Sequence, residues 1–195
     1  CNCGIMDQLI SALGKKGHAM LLDCQSLTFE DAPIPENLSL LIINSNVKRG
    51  LVDSEYNLRR QQCEQVAEHF GVKMLSDVSM DQLESEKSKI APLLYKRARH
   101  VITENIRTKD MRYALKNNDM SVISAVMKAS HQSLRDDFAV TTKEMDGLVA
   151  MIAEVLGDSG GVRMTGGGFG GSVIAMVSTS MIKQVKHVVE SRYQK

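Results

Sequence analysis

The segment from Gly160 to Val177 constrains the fold most, because seven of its eighteen residues are glycine and strand-like apolar residues flank the glycines. Glycine lacks a Cβ atom, so the backbone can reach positive φ and approach a ligand closely. The N–H groups of such a run can also form a concave site for an anion such as a phosphate. We therefore predict two strands joined by a loop that binds a phosphorylated or highly polar small molecule.

The same glycines contain the pattern GxGxxG at Gly166, Gly168 and Gly171. A dinucleotide-binding fold needs a helix directly after this loop, whereas the sequence SVIAMV that follows is typical of a strand. The pattern therefore does not indicate a dinucleotide site. A glycine-rich hairpin or bulged turn without a ligand is the structural alternative, and the entropic cost of so many glycines argues against it.

Composition excludes several classes of function. The 195 residues fit one large domain or a domain and a half. A net charge of +1, an aromatic content of 4% and the absence of tryptophan disfavour nucleic-acid binding. With no 18-residue apolar run and no signal peptide, we expect a cytoplasmic protein without a membrane partner.

The cysteines form no CxxC pair, which favours reduced thiols over a zinc site or a disulfide framework: Cys1, Cys3, Cys24 and Cys63. We therefore expect no metal ligands in this chain. The sequence opens at Cys1 inside what looks like functional sequence, so we expect it to be part of a longer protein.

Hydrophobic spacing and cap signals predict the order of elements. We expect a helix from Ile5 to Leu13, strands over 18–23 and 38–44 with Pro33 and Pro35 in the turn between them, and a helical middle. Its caps are predicted at Gly71, Ser79 with Gln82, Asp119, Thr141 with Glu144, and Gly157. The strand, glycine loop and strand then precede a last helix from about Ser180. Strands mixed with clustered helices indicate the α+β class.

Two side chains are candidates for chemistry. Asp7 lies at the start of the first predicted helix, where the helix dipole favours an ionised carboxylate. It could accept a hydroxyl proton, or it could simply interact with the dipole. Tyr56 lies between Glu55 and the basic pair Arg59 and Arg60, and it could bond a sugar or be a half-buried tyrosine.

Other polar residues favour structural roles. Asn44 and Asn46 follow a strand and favour a turn over a ligand contact. His131 is interpreted as a satisfied helix histidine rather than a base. The cluster from Arg135 to Asp137 is interpreted as a solvated or capping charge group.

Four segments together resemble the galactokinases of the GHMP sugar and metabolite kinase family. They occur in the family's order and span nearly the whole chain: CGIMDQLISALGKKGHAMLLDCQSL, NSNVKRGLVDSEYNLRRQQCE, SHQSLRDDFAVT and GGVRMTGGGFGGSVIAM. The resemblance implies an α+β GHMP kinase fold. Residues 1–50 would end the amino-terminal domain, and residues 51–195 would form a helix-rich carboxyl-terminal domain with a ferredoxin-like sheet.

The resemblance also implies roles for particular residues. Asp7 would accept the proton of the anomeric hydroxyl of galactose, Cys3 and Gly4 would line the sugar pocket, and Tyr56 would bond a sugar hydroxyl. A loop would close over sugar and phosphate: Gly166, Gly167, Gly168, Phe169, Gly170 and Gly171. ATP and magnesium would be the cofactors, and galactose 1-phosphate the product.

Some features of the family are missing from this sequence. Neither the galactose-recognition signature nor the serine-rich phosphate loop is present, and the magnesium-binding glutamate would precede Cys1. We therefore expect the second half of such a kinase, truncated at both ends and inactive without its amino-terminal half. A galactose and ATP sensor and another GHMP small-molecule kinase are the alternatives, and an interaction domain without a ligand is disfavoured by the glycine run.

Overall fold

The structure, a computed structural model, describes residues 5–48 and 52–193, and only the backbone of residues 52–54. Along the described chain, groups of strands are separated by groups of helices. In order these are α1 (Met6–Leu13), β1 (His18–Leu22), β2 (Phe29–Pro33), β3 (Leu38–Asn44), α2 (Val52–His69), α3 (Met80–Ser85), α4 (Pro92–Lys116), α5 (Met120–Asp136), α6 (Lys143–Leu156), β4 (Gly160–Met164), β5 (Ser172–Ser178) and α7 (Ile182–Arg192). The predicted α+β class is confirmed.

The strands form two antiparallel units. β1 and β2 make a hairpin in which His18 pairs with Pro33 and Leu22 with Phe29. β3, β5 and β4 form a three-stranded sheet with β5 in the centre. Leu38 of β3 pairs with Ser178 of β5, so this sheet joins segments more than a hundred residues apart in the chain.

Two strands of the three-stranded sheet, β4 and β5, are covered on both faces by different helices, whereas Leu40 and Ile42 of β3 are exposed. Because side chains alternate along a strand, Val162, Val173 and Val177 lie on one face, in a core shared with α6 and α7. Ile174 and Met176 lie on the other face, beside α4, α5 and the hairpin. The glycine loop between β4 and β5 is therefore anchored at both ends by buried strands.

A third core joins α2, α3 and α4 on the remaining side of the chain. It is built around Val66, Leu83 and Ala98, with Tyr95 among its buried members. This core positions α2, the helix that carries Tyr56, through packing that does not involve the sheet.

Most predicted helix ends are confirmed by the structure. The capping box of Ser79 and Gln82 forms both of its hydrogen bonds. Asp119 caps α5 by accepting from the N–H of Val122. Gly71 has a φ of 65° and Gly157 a φ of 51°, as positions after a helix favour.

Two local predictions are wrong. The residue that caps α6 is Thr142, which accepts from the N–H of Met145, and not Thr141. Pro33 is the last residue of β2 rather than part of a turn. Proline is tolerated there because β2 is an edge strand of a two-stranded sheet. The domain division near residue 50 stays a prediction, although β3 pairs with β5 across it.

Candidate functional site

The glycine loop has a backbone that few other residues could adopt. φ is 78° at Gly166, 82° at Gly168, 125° at Gly170 and 94° at Gly171. Phe169, the one larger residue of the loop, also has a positive φ of 57°. A residue with a Cβ atom adopts positive φ only at an energetic cost. The run of glycines is therefore what permits this loop.

Gly171 is fixed by the segment that follows β3. Its N–H donates to the carbonyl of Val47 at 3.1 Å, and its carbonyl accepts from the N–H of Ser45 at 2.8 Å. The Ser45 hydroxyl also donates to that carbonyl at 2.6 Å. Ser45 is fully buried, and the Tyr193 hydroxyl donates to its carbonyl at 2.7 Å. The carboxyl end of the loop is therefore rigidly placed beside β3.

Asn44 and Asn46 belong to this same segment. The N–H of Asn46 donates to the Asn44 side-chain oxygen at 2.9 Å, and Asn46 has a φ of 56°. Both observations confirm the predicted turn.

The other side of the loop contacts the turn after α5. Phe169 donates its N–H to the carbonyl of Val140 at 2.7 Å. Gly168 lies so close that a Cβ atom there would stand 2.3 Å from the same carbonyl oxygen. In contrast, a Cβ at Gly167 would meet no atom within 4 Å. The loop is thus pressed against the protein at Gly168 and open at Gly167.

Two N–H groups of the loop are available to a ligand. Those of the exposed Gly166 and the half-buried Gly167 have no hydrogen-bond partner among the described residues. Peptide N–H groups in a left-handed segment are a common cradle for anions. This geometry suits the predicted phosphate or polar ligand.

Arg59 connects the helix of Tyr56 to the loop. Its Nε donates to the carbonyl of Phe138 at 2.7 Å and its Nη2 to the carbonyl of Ala139 at 3.0 Å. Its guanidinium carbon also lies 5.7 Å from the centre of the Phe169 ring. Because Tyr56 precedes Arg59 by one helical turn, both residues lie on the same side of α2. Arg59 therefore links α2, the helix that carries Tyr56, to the glycine loop and to the turn beside it.

Asp137 is buried, so the solvated alternative is wrong for this residue, although it does occupy the C-cap position of α5. Arg99 pairs with its carboxylate, and Arg97 donates to its carbonyl. Arg135 and Asp136 do follow the prediction, because they are exposed and bond each other at 2.8 Å. The buried arrangement was missed because its partners lie about 40 residues away in the sequence.

Two titratable groups near this cluster are held in their neutral forms. Burial lowers the pKa of His100 to about 4, and its Nδ1 lies 3.0 Å from the Ser133 hydroxyl. Burial raises the pKa of the Cys63 thiol to about 11. Neither group is suited to act as a base or a nucleophile near neutral pH.

His131 lies between α5 and β4 rather than at the glycine loop. Its Nδ1 accepts from the N–H of Met164 at 3.2 Å, which places the proton of the neutral ring on Nε2. That Nε2 is 3.2 Å from an Asp146 oxygen, yet the two atoms are misaligned for a hydrogen bond. Burial lowers the pKa of His131, and the carboxylate opposes that shift. The prediction of a hydrogen-bonded helix histidine is therefore confirmed for Nδ1, whereas Nε2 has no hydrogen bond to a described residue.

The remaining predicted site residues are less constrained by contacts. Asp7 is exposed in α1, a helix without a buried residue, and its carboxylate has no hydrogen bond or ion pair with another described residue. Tyr56 is half-buried. Cys3 and Gly4 lie outside the described residues. The placement of Asp7 opposite the glycine loop stays a prediction.

The described residues contain neither a candidate metal site nor a helix that could span a membrane. No group of three or more histidine, cysteine, aspartate or glutamate side chains there could hold a metal ion. None of the described helices is both long and apolar enough to cross a membrane.

Comparison with known proteins identifies the class that this fold and loop define. Residues 111–195 match the family described as GHMP kinases C terminal. This stretch is therefore similar to the carboxyl-terminal domain of GHMP kinases. L. major mevalonate kinase in complex with R-mevalonate is 15% identical with a TM-score of 0.54, over 85% of this chain and 41% of that one. This likeness concerns the fold alone.

A much stronger match is to the crystal structure of Lactococcus lactis galactokinase complexed with galactose. The two chains are 32% identical, with a TM-score of 0.91 over 99% of this chain. The match covers 51% of that galactokinase, so this chain spans about half its length. It corresponds to the carboxyl-terminal half of that enzyme.

Proposed function

We propose that this chain forms the carboxyl-terminal half of a galactokinase, which transfers a phosphoryl group from ATP to the anomeric hydroxyl of galactose. The observation that carries the proposal is the TM-score of 0.91 over 99% of the chain to a galactokinase complexed with galactose. The product would be galactose 1-phosphate. The contacts of Arg59, which follows Tyr56 by three residues, with Phe138 and the Phe169 ring support a sugar site on this side of the molecule.

In this proposal each site residue has one task. Asp7 accepts the hydroxyl proton of the sugar, Tyr56 bonds a sugar hydroxyl, and Cys3 and Gly4 line the pocket. The loop from Gly166 to Gly171 covers sugar and phosphate, with its unpaired N–H groups facing the anion. The exposed carboxylate of Asp7 suits this task, because no ion pair with a described residue competes for it.

The cofactors are ATP and magnesium, and we assign the main phosphate loop and the metal ligands to the amino-terminal half. Apolar surface supports a missing partner half. In α1 and at its N-cap, Met6, Leu13 and Ile5 are 61%, 47% and 42% exposed. On β3, Ile42 is 73% exposed. Exposed apolar side chains at this density are typical of surfaces that another domain covers.

Phosphoryl transfer depends mainly on orientation and charge neutralisation. A general base contributes about 10²–10⁴-fold, whereas orientation contributes about 7–11 kcal/mol. Asp7 would supply only the first of these contributions. The chain by itself is therefore expected to show no galactose-dependent turnover.

A chimera tests the proposal. This chain replaces the matching half of Lactococcus lactis galactokinase, and galactose-dependent release of ADP is measured. We expect turnover by the chimera and none by the isolated chain. A chimera that unfolds in one cooperative transition yet shows no turnover would contradict the proposed function.

The role of Asp7 is tested in the same chimera. Asp7→Asn keeps the shape of the side chain but removes its charge, so turnover should fall about 10²–10⁴-fold while galactose affinity stays within a few-fold. Asp81→Asn is the matched control, because Asp81 is likewise an exposed aspartate in the first turn of a helix, α3. If Asp7→Asn lowers turnover no more than Asp81→Asn does, Asp7 is not the base.

A further inference from the structure

A cavity of about 150 Å³ opens between the β1–β2 hairpin, α4, α5 and β4. It lies apart from the residues assigned above to the sugar and phosphate site. Most of its wall is apolar, with Met20, Met111, Leu115 and Met127 among its lining residues. Cavities of about this volume with apolar walls can bind a ligand the size of benzene.

Three arginines line the polar part of this cavity, and two of them form ion pairs with carboxylates of the chain. Arg107 pairs with Glu104, which also accepts from the Ser130 hydroxyl at 2.9 Å. Arg112 pairs with Glu30 of the hairpin. The charges of these two arginines are therefore balanced by carboxylates of the chain itself.

The third arginine, Arg163, lacks such a partner. No carboxylate of the described residues lies within ion-pair distance of its guanidinium. Its one hydrogen bond within the described chain is at 3.3 Å, from Nη1 to the carbonyl of the neighbouring Met164. An arginine has five N–H donors, so most of its hydrogen-bonding capacity is unused by these residues.

The backbone prevents Arg163 from turning away from the cavity. Its neighbours Val162 and Met164 are buried on the opposite face of the sheet, in the core shared with α6 and α7. Because side chains alternate along β4, Arg163 must project toward α5. Burial lowers the pKa of Arg163, which reflects the cost of desolvating its charge. An anion in the cavity would offset that cost.

We propose that this cavity binds a short aliphatic monocarboxylate, with the carboxylate on Arg163 and the hydrocarbon chain against Met20, Met111 and Met127. The three lining arginines exceed the two carboxylates beside them, Glu104 and Glu30, by one positive charge, which matches a monoanion better than a phosphate dianion. A planar guanidinium also matches a carboxylate in bidentate geometry. The apolar wall accommodates a chain of a few carbons, as in butyrate or hexanoate.

Methyl labelling of methionine locates binding without any substitution. The full chain, labelled with ¹³C at its methionine methyl groups, is titrated with hexanoate and, in parallel, with the uncharged hexanol. We expect hexanoate to shift the methyl signals of Met20, Met111 and Met127 while leaving those of Met74 and Met145 in place. Hexanol should bind at least about tenfold more weakly, because it lacks the charge that Arg163 requires.

Substitution of the arginines provides the second readout. Arg163→Met should weaken hexanoate binding at least about tenfold, whereas Arg112→Met, at a lining arginine that has its own carboxylate partner, should change it little. If Arg163→Met does not fold, the comparison of hexanoate with hexanol on the unsubstituted chain decides. The proposal is overturned if no cavity methyl shifts with hexanoate up to about 10 mM. Equal binding of hexanol, or of hexanoate by a folded Arg163→Met, overturns it as well.

Discussion

Substitution of Gly168 by alanine should destabilise the protein through one identifiable contact. The new Cβ atom would lie 2.3 Å from the carbonyl oxygen of Val140 and 2.8 Å from its Cβ, and φ at this position is 82°. A side chain in the left-handed region costs about 1–2 kcal/mol. Because the clashing atom is backbone oxygen, the loop or the turn must move.

Such a movement also breaks the hydrogen bond from the N–H of Phe169 to the carbonyl of Val140. That bond contributes about 0.5–1.5 kcal/mol. The combined loss in the free energy of unfolding should therefore be about 1.5–3.5 kcal/mol. For a chain of this length it corresponds to a fall in Tm of about 3–14 °C.

The assay is urea unfolding and thermal unfolding of the wild type, Gly168→Ala and the matched variant Gly167→Ala. A Cβ at Gly167 meets no atom within 4 Å and requires no left-handed φ. Its substitution should change stability by less than about 1 kcal/mol, in the stabilising direction, because alanine restricts the unfolded chain. Equal effects of the two substitutions would refute the argument that Gly168 is sterically required.

Three further predictions concern buried charges and thiols. Arg59→Met should lower the free energy of unfolding by about 2–4 kcal/mol, because it removes two charged hydrogen bonds to carbonyl groups, while Arg60→Met should cost less than about 1 kcal/mol. The pKa of His100 falls from 6.5 to about 4 on folding. The unfolded chain therefore binds more protons between these values, so the stability due to His100 is complete above pH 6.5 and about 3 kcal/mol is lost as the pH falls through 4. With a pKa raised from 9.0 to about 11, Cys63 should react with iodoacetamide at pH 8 at least about 100-fold more slowly than the exposed Cys24.

Each of these predictions has a result that would contradict it. Equal losses of stability for Arg59→Met and Arg60→Met would mean that the carbonyl contacts contribute little. For His100, stability is compared at pH 7 and pH 4 in the wild type and in His100→Gln, and an identical pH dependence would remove the histidine from the explanation. For Cys63, peptide mass spectrometry follows the labelling of each thiol, and equal rates for Cys63 and Cys24 would show that burial does not protect it.

Local signals in the sequence were sufficient to predict several helix ends. Ser79 and Gln82 cap α3 through atoms three residues apart, and Asp119 caps α5 in the same way. Such contacts depend only on neighbouring residues, so tertiary structure adds little to them. The glycine run likewise predicted a loop between two strands, because only glycine tolerates most of the φ values found there.

Two local features, the cap of α6 and the strand β2, could not be predicted from the sequence pattern. Thr141 and Thr142 both precede the same helix, and the structure selects Thr142 as the cap. The strand β2 carries the polar sequence FEDAP, which has little β propensity of its own. It becomes a strand because its backbone pairs with β1 along the whole length of the hairpin.

The sequence by itself determined the class of fold, most helix ends and the glycine loop. These features depend on the spacing of apolar, capping and glycine residues within short segments. Only the tertiary structure determined that Arg59 joins α2 to the turn at Phe138 and that Asp137 is buried against Arg99. The same holds for Arg163, which lacks a carboxylate partner among the described residues. The partners of a buried charge are chosen by which helices and strands pack together, and that choice depends on contacts between residues far apart in the chain.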